Sequence, residues 1–487
     1  MSDIASPPPP GLPPRPTLEQ RIDRLTVALL SALAILHIAA AAFDFRLFAY
    51  FGAFCFVAYI GLILPSITKR EAPLMIGALA AVLATVSLHA QAGPVLIEAL
   101  TKGTGYASLI LALGFLQAPA AASQLVRDCG SYLIHQGPGR RYAALTGGAH
   151  LFGVVLNLGT LQLLGAMVKQ SNTLEAAGGD AEVVQIRTRR MVTAMLRGFA
   201  PVTLWAPTSL TIAVALDIVP GVNWNQYLPL GLGMAIGYMT LGWVMDRIRY
   251  SKRTRFRAQV SETHLTARGT LVPMVGLVAV ILALVVVLKQ GLNWPLGTAV
   301  MVATPLFSTF WLLRQGLQRD PKSAVTRTVV QLAHHCAERM PKSRFEVISL
   351  TCAGIMGGAI GALIPPAAIA HIMEVWGLPP AVLLMAMSVV IVAVAQVGFN
   401  PVVAVTLLGS AVSQMHPIPV PPLALLVTLV GSWNMFGLSS PFSATTLILG
   451  TQFAENSRVI GHRWNGLFAV ICFCSLQVII VATTLLA

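Results

Sequence analysis

Residues 380–415 read PAVLLMAMSVVIVAVAQVGFNPVVAVTLLGSAVSQM, an apolar run of 36 residues broken only at Gly398-Phe-Asn-Pro401. A straight helix of that length would extend about 54 Å, against a hydrocarbon core of ~30 Å. Two half-membrane helices joined at GFNP fit the length better. A second run, 142–168, has a candidate tip at Leu156-Asn-Leu-Gly159. By length alone it could be one ordinary span. Whether one, both or neither run folds back decides the topology.

The chain around these runs has 487 residues, 56% of them hydrophobic and 10% charged. Soluble domains carry about a quarter charged residues. Many apolar windows exceed the roughly 18 residues that mark a membrane span. They are continuous rather than alternating, which excludes a β-barrel. The reading is an all-α polytopic membrane protein. The net charge of +14 would suggest nucleic acid in a soluble chain. Here the bases flank hydrophobic runs, so no nucleic-acid partner is expected and positional bias is the better account. Six cysteines show neither metal spacing nor a disulfide framework. His334-His335-Cys336 are adjacent, and adjacent helical residues do not share a face, so a solvated interfacial stretch is expected there. Residues 1–24, which include PPPPGLPPRP at 7–16, read as a disordered cytoplasmic tail without a cleavable signal.

About eleven spans are predicted: 25–43, 47–64, 74–90, 105–121, 191–218, 227–245, 270–288, 295–313, 345–364, 423–449 and 466–486. Charge then arbitrates the hairpins. With both runs re-entrant and the N-terminus inside, 28 of the 32 Lys and Arg fall on the inner side. Arg46, Lys102 and Lys289 fall outside, and Arg197 lies within a span. That bias collapses if only the first run crosses fully. The result is an inverted-topology repeat: an extra scaffold helix (25–46), a first half (47–245) with hairpin 142–168 and broken helix 191–218, a basic cytoplasmic loop (246–269), and a second half (270–487) with hairpin 380–415 and broken helix 423–449. Leu204, Pro207, Ser209 and Thr211 recur as Leu438, Pro441, Ser443 and Thr445 at an offset of 234.

Those echoes flag two interruptions: Thr203-Leu-Trp-Ala-Pro-Thr-Ser-Leu-Thr211, and Gly437-Leu-Ser-Ser-Pro-Phe-Ser-Ala-Thr-Thr446. Proline within a helix frees backbone groups, which must be buried or face a water-filled cavity. One such site would read as a kink; two in register, each after a hairpin, read as a binding site. The expected solute contacts are Asn157 and Asn400 at the tips, with Thr208, Ser209, Ser440, Ser443 and Thr445 at the breaks. Backbone around Gly159, Thr203 and Pro207, and around Gly398, Gly437 and Pro441, is the expected cation site. Half-helix N-termini would favour an anion, and freed carbonyls Na⁺. Intramembrane acids are nearly absent, which points to Na⁺ rather than H⁺ coupling. His150 is the proton alternative, or else a packing residue. Arg197 is expected to snorkel to the inner interface, although it could be a counter-charge. Gly354, Gly357, Gly358 and Gly361, and Gly233 with Gly237, have the spacing of close helix contacts. The stretches 122–139 and 365–377 read as interfacial arm helices, and 318–342 as a cytoplasmic amphipathic linker. No metal, cofactor or catalytic set is expected, so the chain does not read as an enzyme.

This plan resembles the ion transporter superfamily, which includes divalent anion/sodium symporters and the large membrane subunits of TRAP transporters. Gly398-Phe-Asn-Pro401 followed by Asn434-Met-Phe-Gly-Leu-Ser-Ser-Pro441 is similar in order and spacing to the second tip and break of the TRAP subunits. The symporters carry Ser-Asn-Thr at both tips, of which only Asn157 and Asn400 match. The literal Ser171-Asn-Thr173 lies beyond the first hairpin and reads as a decoy. The resemblance implies a bacterial inner-membrane secondary transporter for a carboxylate or oxyanion, a scaffold that dimerises within the lipid, and a transport domain that moves as an elevator. A TRAP-like subunit needing a binding protein and a non-transporting scaffold or receptor are the alternatives.

Overall fold

The structure, a computed structural model, describes residues 17–250, 266–365, 368–413 and 420–486. Most of the proline-rich tail, the core of the basic loop and the end of the second hairpin run lie outside these residues. The described residues form helices and turns, with no strand among them.

The first half contains α1 (Leu18–Phe43), α2 (Arg46–Ile63), α3 (Ala72–Leu88), α4 (Ala92–Gly114), α5 (Gln117–Ala122) and α6 (Gln124–Ile134). Then come α7 (Pro138–Leu156), α8 (Gly159–Ser171), α9 (Ala181–Phe199), α10 (Leu210–Ile218) and α11 (Trp224–Tyr250). The second half contains α12 (Ala267–Gly291), α13 (Leu296–Arg319), α14 (Ala324–Lys342), α15 (Arg344–Leu363) and α16 (Ala368–Val375). It continues with α17 (Pro380–Gln396), α18 (Pro401–Ser413), α19 (Pro422–Ser439), α20 (Ala444–Phe453) and α21 (Gly466–Leu485). Helices α6, α14 and α16 fall where arm and linker helices are expected.

Among the described residues, nine helical stretches are long and apolar enough to cross a membrane, fewer than the eleven expected. The two others are α3, only 17 residues long, and α9–α10, which the break divides. The interval between hairpin 142–168 and the span expected from 191 is partly helical. Asp180 accepts hydrogen bonds from the backbone N–H groups of Glu182 and Val183, starting α9 ten residues sooner. The decoy Asn172 staples this loop by donating to the Val184 carbonyl and the Thr188 hydroxyl.

Both long runs fold back. Helix α7 packs on α8 across Asn157-Leu158, and α17 packs on α18 across residues 397–400. The first hairpin returns to the end where it began: Arg247 donates to the Gly139 carbonyl at its start, and Arg190, after its end, pairs with Asp246 at 2.7 Å. Both partners sit at one end of α11. Residues assigned to one side by charge also meet elsewhere. Arg344, read as inner, binds Ser66 and Glu71, while Lys102 and Lys289, both read as outer, line one cavity together.

A tight crossing joins α4, α15 and α18. A Cβ on Gly354 would overlap the Gly103 backbone, one on Gly358 would meet Ala99, and one on Gly357 would meet Thr406. These are the close contacts expected of small residues at four-residue spacing. Span α11 departs from expectation: a Cβ on Gly233 or Gly237 would meet nothing within 4 Å. Its close-contact glycines are instead Gly231, against the Leu204 carbonyl, and Gly242, against the Arg197 side chain. Gly233 and Gly237 face outward from this packing.

Candidate functional site

The first break begins where α9 tightens into a 3₁₀ turn at Ala200–Leu204 and ends where α10 starts at Leu210. Pro201 and Pro207 lack the N–H groups that would continue the helix. The second break is Ser440-Pro441-Phe442-Ser443, between α19 and α20. Each break is tied to its own hairpin by one hydroxyl. Thr208 donates to the Val154 carbonyl at 2.7 Å, one turn before the first tip. Ser440 donates to the Ala395 carbonyl at 2.7 Å, just before the second.

The first break meets α19, the helix leading into the second, at Asn434, a residue left out of the expected site. Its side-chain amide donates to the Ala200 carbonyl at 2.6 Å and to the Thr203 hydroxyl at 2.9 Å. Asn434 is 1% exposed, and its oxygen is buried without a partner. Asn434 stands within the stretch that carries the TRAP likeness, so its residue type was visible. Its partner, far away in the chain, was not.

The halves differ in how their polar groups are used. In the second break the hydroxyls serve the break itself. Thr445 donates to the Gly437 carbonyl at 2.6 Å, Thr446 to the Ser440 carbonyl at 2.7 Å, and Ser443 caps α20 through the Thr446 N–H. Ser440, Ser443 and Thr445 are therefore buried and engaged in this conformation, and the Gly437 carbonyl is occupied. At the tip, the Asn400 oxygen accepts from the Val402 N–H, capping α18 at 3.0 Å. Gly398 takes a positive φ of 95°, and a Cβ there would press on the Phe442 ring.

The first half is less self-contained. Asn157 holds φ 50° and ψ −134°, a conformation non-glycine residues rarely adopt. Among the described residues, no protein group hydrogen-bonds its side-chain amide or the Ser209 hydroxyl. No side chain caps the N-terminus of α10 or of α8, where Gly159 is the first residue. Thr203 is engaged with Asn434 and the Ala200 carbonyl, and Pro207 is buried beside it. The structure thus groups Asn157 with the Thr208–Ser209 segment, and Asn400 and Gly398 with Ser440–Phe442. No hydrogen bond joins the two tip asparagines.

Two basic residues are placed by geometry. His150 accepts from the Trp205 indole N–H at 3.0 Å, so its other ring nitrogen carries the proton donated to the Gly198 carbonyl. Both nitrogens are used, which favours the packing role. Arg197 does not snorkel. It is 6% exposed, donates to Asn465 at 2.7 Å and to the Tyr142 hydroxyl at 3.3 Å, and lies over the Phe468 ring. Asn465 in turn donates to the Leu438 carbonyl at 2.6 Å, so the guanidinium braces the second break from behind. Its neighbours hold it more favourably than a walk to the interface would.

A second histidine emerges at the other hairpin. Gln396 donates to the Ser439 hydroxyl at 2.9 Å, leaving its oxygen to accept from His462 at 3.0 Å. His462 lies on a π-helical turn, Val459–Trp464, and is exposed. Such turns recur at functional sites. No sequence signal linked these three residues, which lie on separate elements.

No family model matches the chain, and no curated protein matches it. Several solved structures share its architecture, among them two transporters. The YdaH transporter of Alcanivorax borkumensis superposes with a TM-score of 0.55 at 13% identity, over 84% of this chain and 98% of that one. MtrF of Neisseria gonorrhoeae, from a class of antimetabolite efflux pumps, superposes with a TM-score of 0.53 at 11% identity, over 85% of this chain and 95% of that one. The chain has the polytopic, all-α membrane fold that these two transporters share.

Proposed function

We propose that the chain is a secondary active transporter for a small anionic solute, a carboxylate or oxyanion. The carrying observation is the open chemistry of the first half. An amide at Asn157 and a hydroxyl at Ser209 lack protein partners beside a helix N-terminus that no side chain caps. Helix N-termini favour negative charge, and an amide supplies the donors to orient it. The second half, with Asn400, Ser440, Ser443 and Thr445, frames the site rather than lining it in this conformation.

The joined breaks suit a block that moves with its hairpins past a scaffold built around α4 and α15, an elevator. Na⁺ is the coupling ion in this reading, held by carbonyls near Gly159, Thr203 and Pro207, with Gly398 and Pro441 opposite. The unpartnered, buried oxygen of Asn434 adds a neutral ligand of the right kind. Proton coupling is the second reading, favoured by His462 at the second hairpin. The fold shared with MtrF makes export worth testing beside uptake.

The test is a thermal-shift screen of carboxylates and oxyanions with and without Na⁺, followed by flux in proteoliposomes. Stabilisation by an anion that deepens with Na⁺ is expected. Stabilisation by cationic or neutral solutes alone would sink the anion reading, and flux driven by a pH gradient without Na⁺ would replace the coupling ion.

A further inference from the structure

Helix α14 lies against α5 and forms one wall of an open cavity of about 390 Å³. Its walls bring together four basic side chains, His334, His335, Arg339 and Lys342, and one acid, Glu338. The fixed charges are Arg339 and Lys342 against Glu338, which lies 3.7 Å from His334, so the walls stay net positive. His335 donates to the Gly114 carbonyl at 2.9 Å and complements the C-terminus of α4. Arg339 has no such partner: its Nε is buried without an acceptor. Its outer nitrogens are neither buried nor hydrogen-bonded among the described residues, so they are the groups free to meet an acceptor in the cavity. A tetrahedral phosphate offers acceptors in the geometry a guanidinium fork recognises.

The surroundings identify the source of that phosphate. Val325, Val329 and Val330 on the same helix are 60–66% exposed, and Val330 sits one turn before His334. An amphipathic helix that shows both bare valines and a basic pocket lies in a headgroup layer, with acyl chains over the valines. Residues 314–344 also carry a dense share of the bases assigned to the inner side, where anionic lipids gather.

We propose that this cavity is a headgroup site for an anionic phospholipid, with Arg339 and Lys342 on the phosphate and the acyl chains leaving along the valine face. The site is separate from the transport site, and its test does not depend on the transport reading.

The full-length protein is placed in nanodiscs of phosphatidylcholine with increasing phosphatidylglycerol. Thermal unfolding and retained lipid, by native mass spectrometry, are measured. Phosphatidylglycerol should raise the unfolding midpoint and co-purify. The double variant Arg339→Gln/Lys342→Gln should need about tenfold more of it, or fail to respond, as the loss of charge-assisted hydrogen bonds implies. Arg327→Gln, on the same helix outside the cavity, should respond like the native protein. Should the double variant not fold, Arg339→Lys, which keeps charge but not the fork, should show the same weakening. No phosphatidylglycerol effect, or an equal effect in the variants, overturns the site. Full replacement of the lipid by inorganic phosphate in phosphatidylcholine discs overturns the lipid and leaves a free oxyanion.

Discussion

Asn434 donates its amide to the carbonyl of Ala200, the residue 234 positions before it. The same separation joins the Tyr238 hydroxyl of α11 to the Cys472 carbonyl of α21. It is also the offset at which the two proline breaks align in the sequence. A residue that touches its own counterpart lies on the axis relating two repeats, so these bonds lie where a pseudo-twofold axis would pass. Asn434→Ala removes two donors from a buried seam and should destabilise the protein by about 1–3 kcal/mol. Flux should fall further than stability alone explains. Chemical denaturation and proteoliposome flux on the same preparation would separate the two, and unchanged flux would remove Asn434 from the working site.

Asn157 combines a strained backbone with an unpartnered amide, and two substitutions separate them. Asn157→Gly relieves the strain and deletes the amide, whereas Asn157→Ala deletes the amide and keeps the strain. The glycine variant should be as stable as the native protein, or more so, and lose anion-dependent stabilisation. The alanine variant should lose both. If glycine keeps full ligand response, the tip needs only its turn.

Arg197 is a buried cation whose hydrogen-bond partners include no carboxylate, so Asn465 matters more than its neutral charge suggests. Asn465→Leu strands the guanidinium and the Leu438 carbonyl together. The expected loss is about 3–5 kcal/mol. Arg197→Met in the same background should recover part of that loss, because it removes the stranded charge. A double-mutant cycle by denaturant unfolding reads this directly, and simple additivity would show that the two side chains act apart.

The glycines divide cleanly. Gly354→Val pushes a branched side chain into the α4 backbone at Gly103 and should abolish the folded, monodisperse peak in size-exclusion chromatography. Gly233→Ala and Gly237→Ala meet open space and should leave that peak intact, with a small gain in helix propensity.

His335 gives a pH dependence outside the spans. Burial lowers its pKa from 6.5, the Gly114 carbonyl partly opposes that, and the neighbouring Arg339 lowers it again. The unfolded chain therefore takes up the proton first as pH falls. The contribution of His335 is fully present above the unfolded value and is lost as pH drops through the lower folded one. His335→Gln should flatten the fall in unfolding temperature as the pH drops below about 6.5. An unchanged slope would place the acid sensitivity elsewhere.

The hairpins and breaks were legible because length and proline are local signals. Residues 380–415 are too long for one crossing, and Pro207 and Pro441 cannot continue a helix. Asn434, the Gln396–His462 link and the His150–Trp205 pair were not legible, because each joins elements distant in the chain. Arg197 was misread for the same reason: its distance from the span end is visible, but Tyr142, Asn465 and Phe468 gather around it only on folding. Gly233 and Gly237 had the right spacing but face outward, since spacing fixes a stripe on a helix and not what the stripe meets.

The uneven use of hydroxyls in the two breaks has a consequence for how the repeats can drift. The second repeat acts as a buttress whose donors and acceptors are closed on one another, so its substitutions register as damage. In the proposed reading the first repeat, whose Asn157 amide and Ser209 hydroxyl have no protein partner, is a socket with valences to spare, and its substitutions register as changed taste. Two parts with one plan have taken up different trades, and chemical diversification of this molecule has room mainly on one side of its own symmetry.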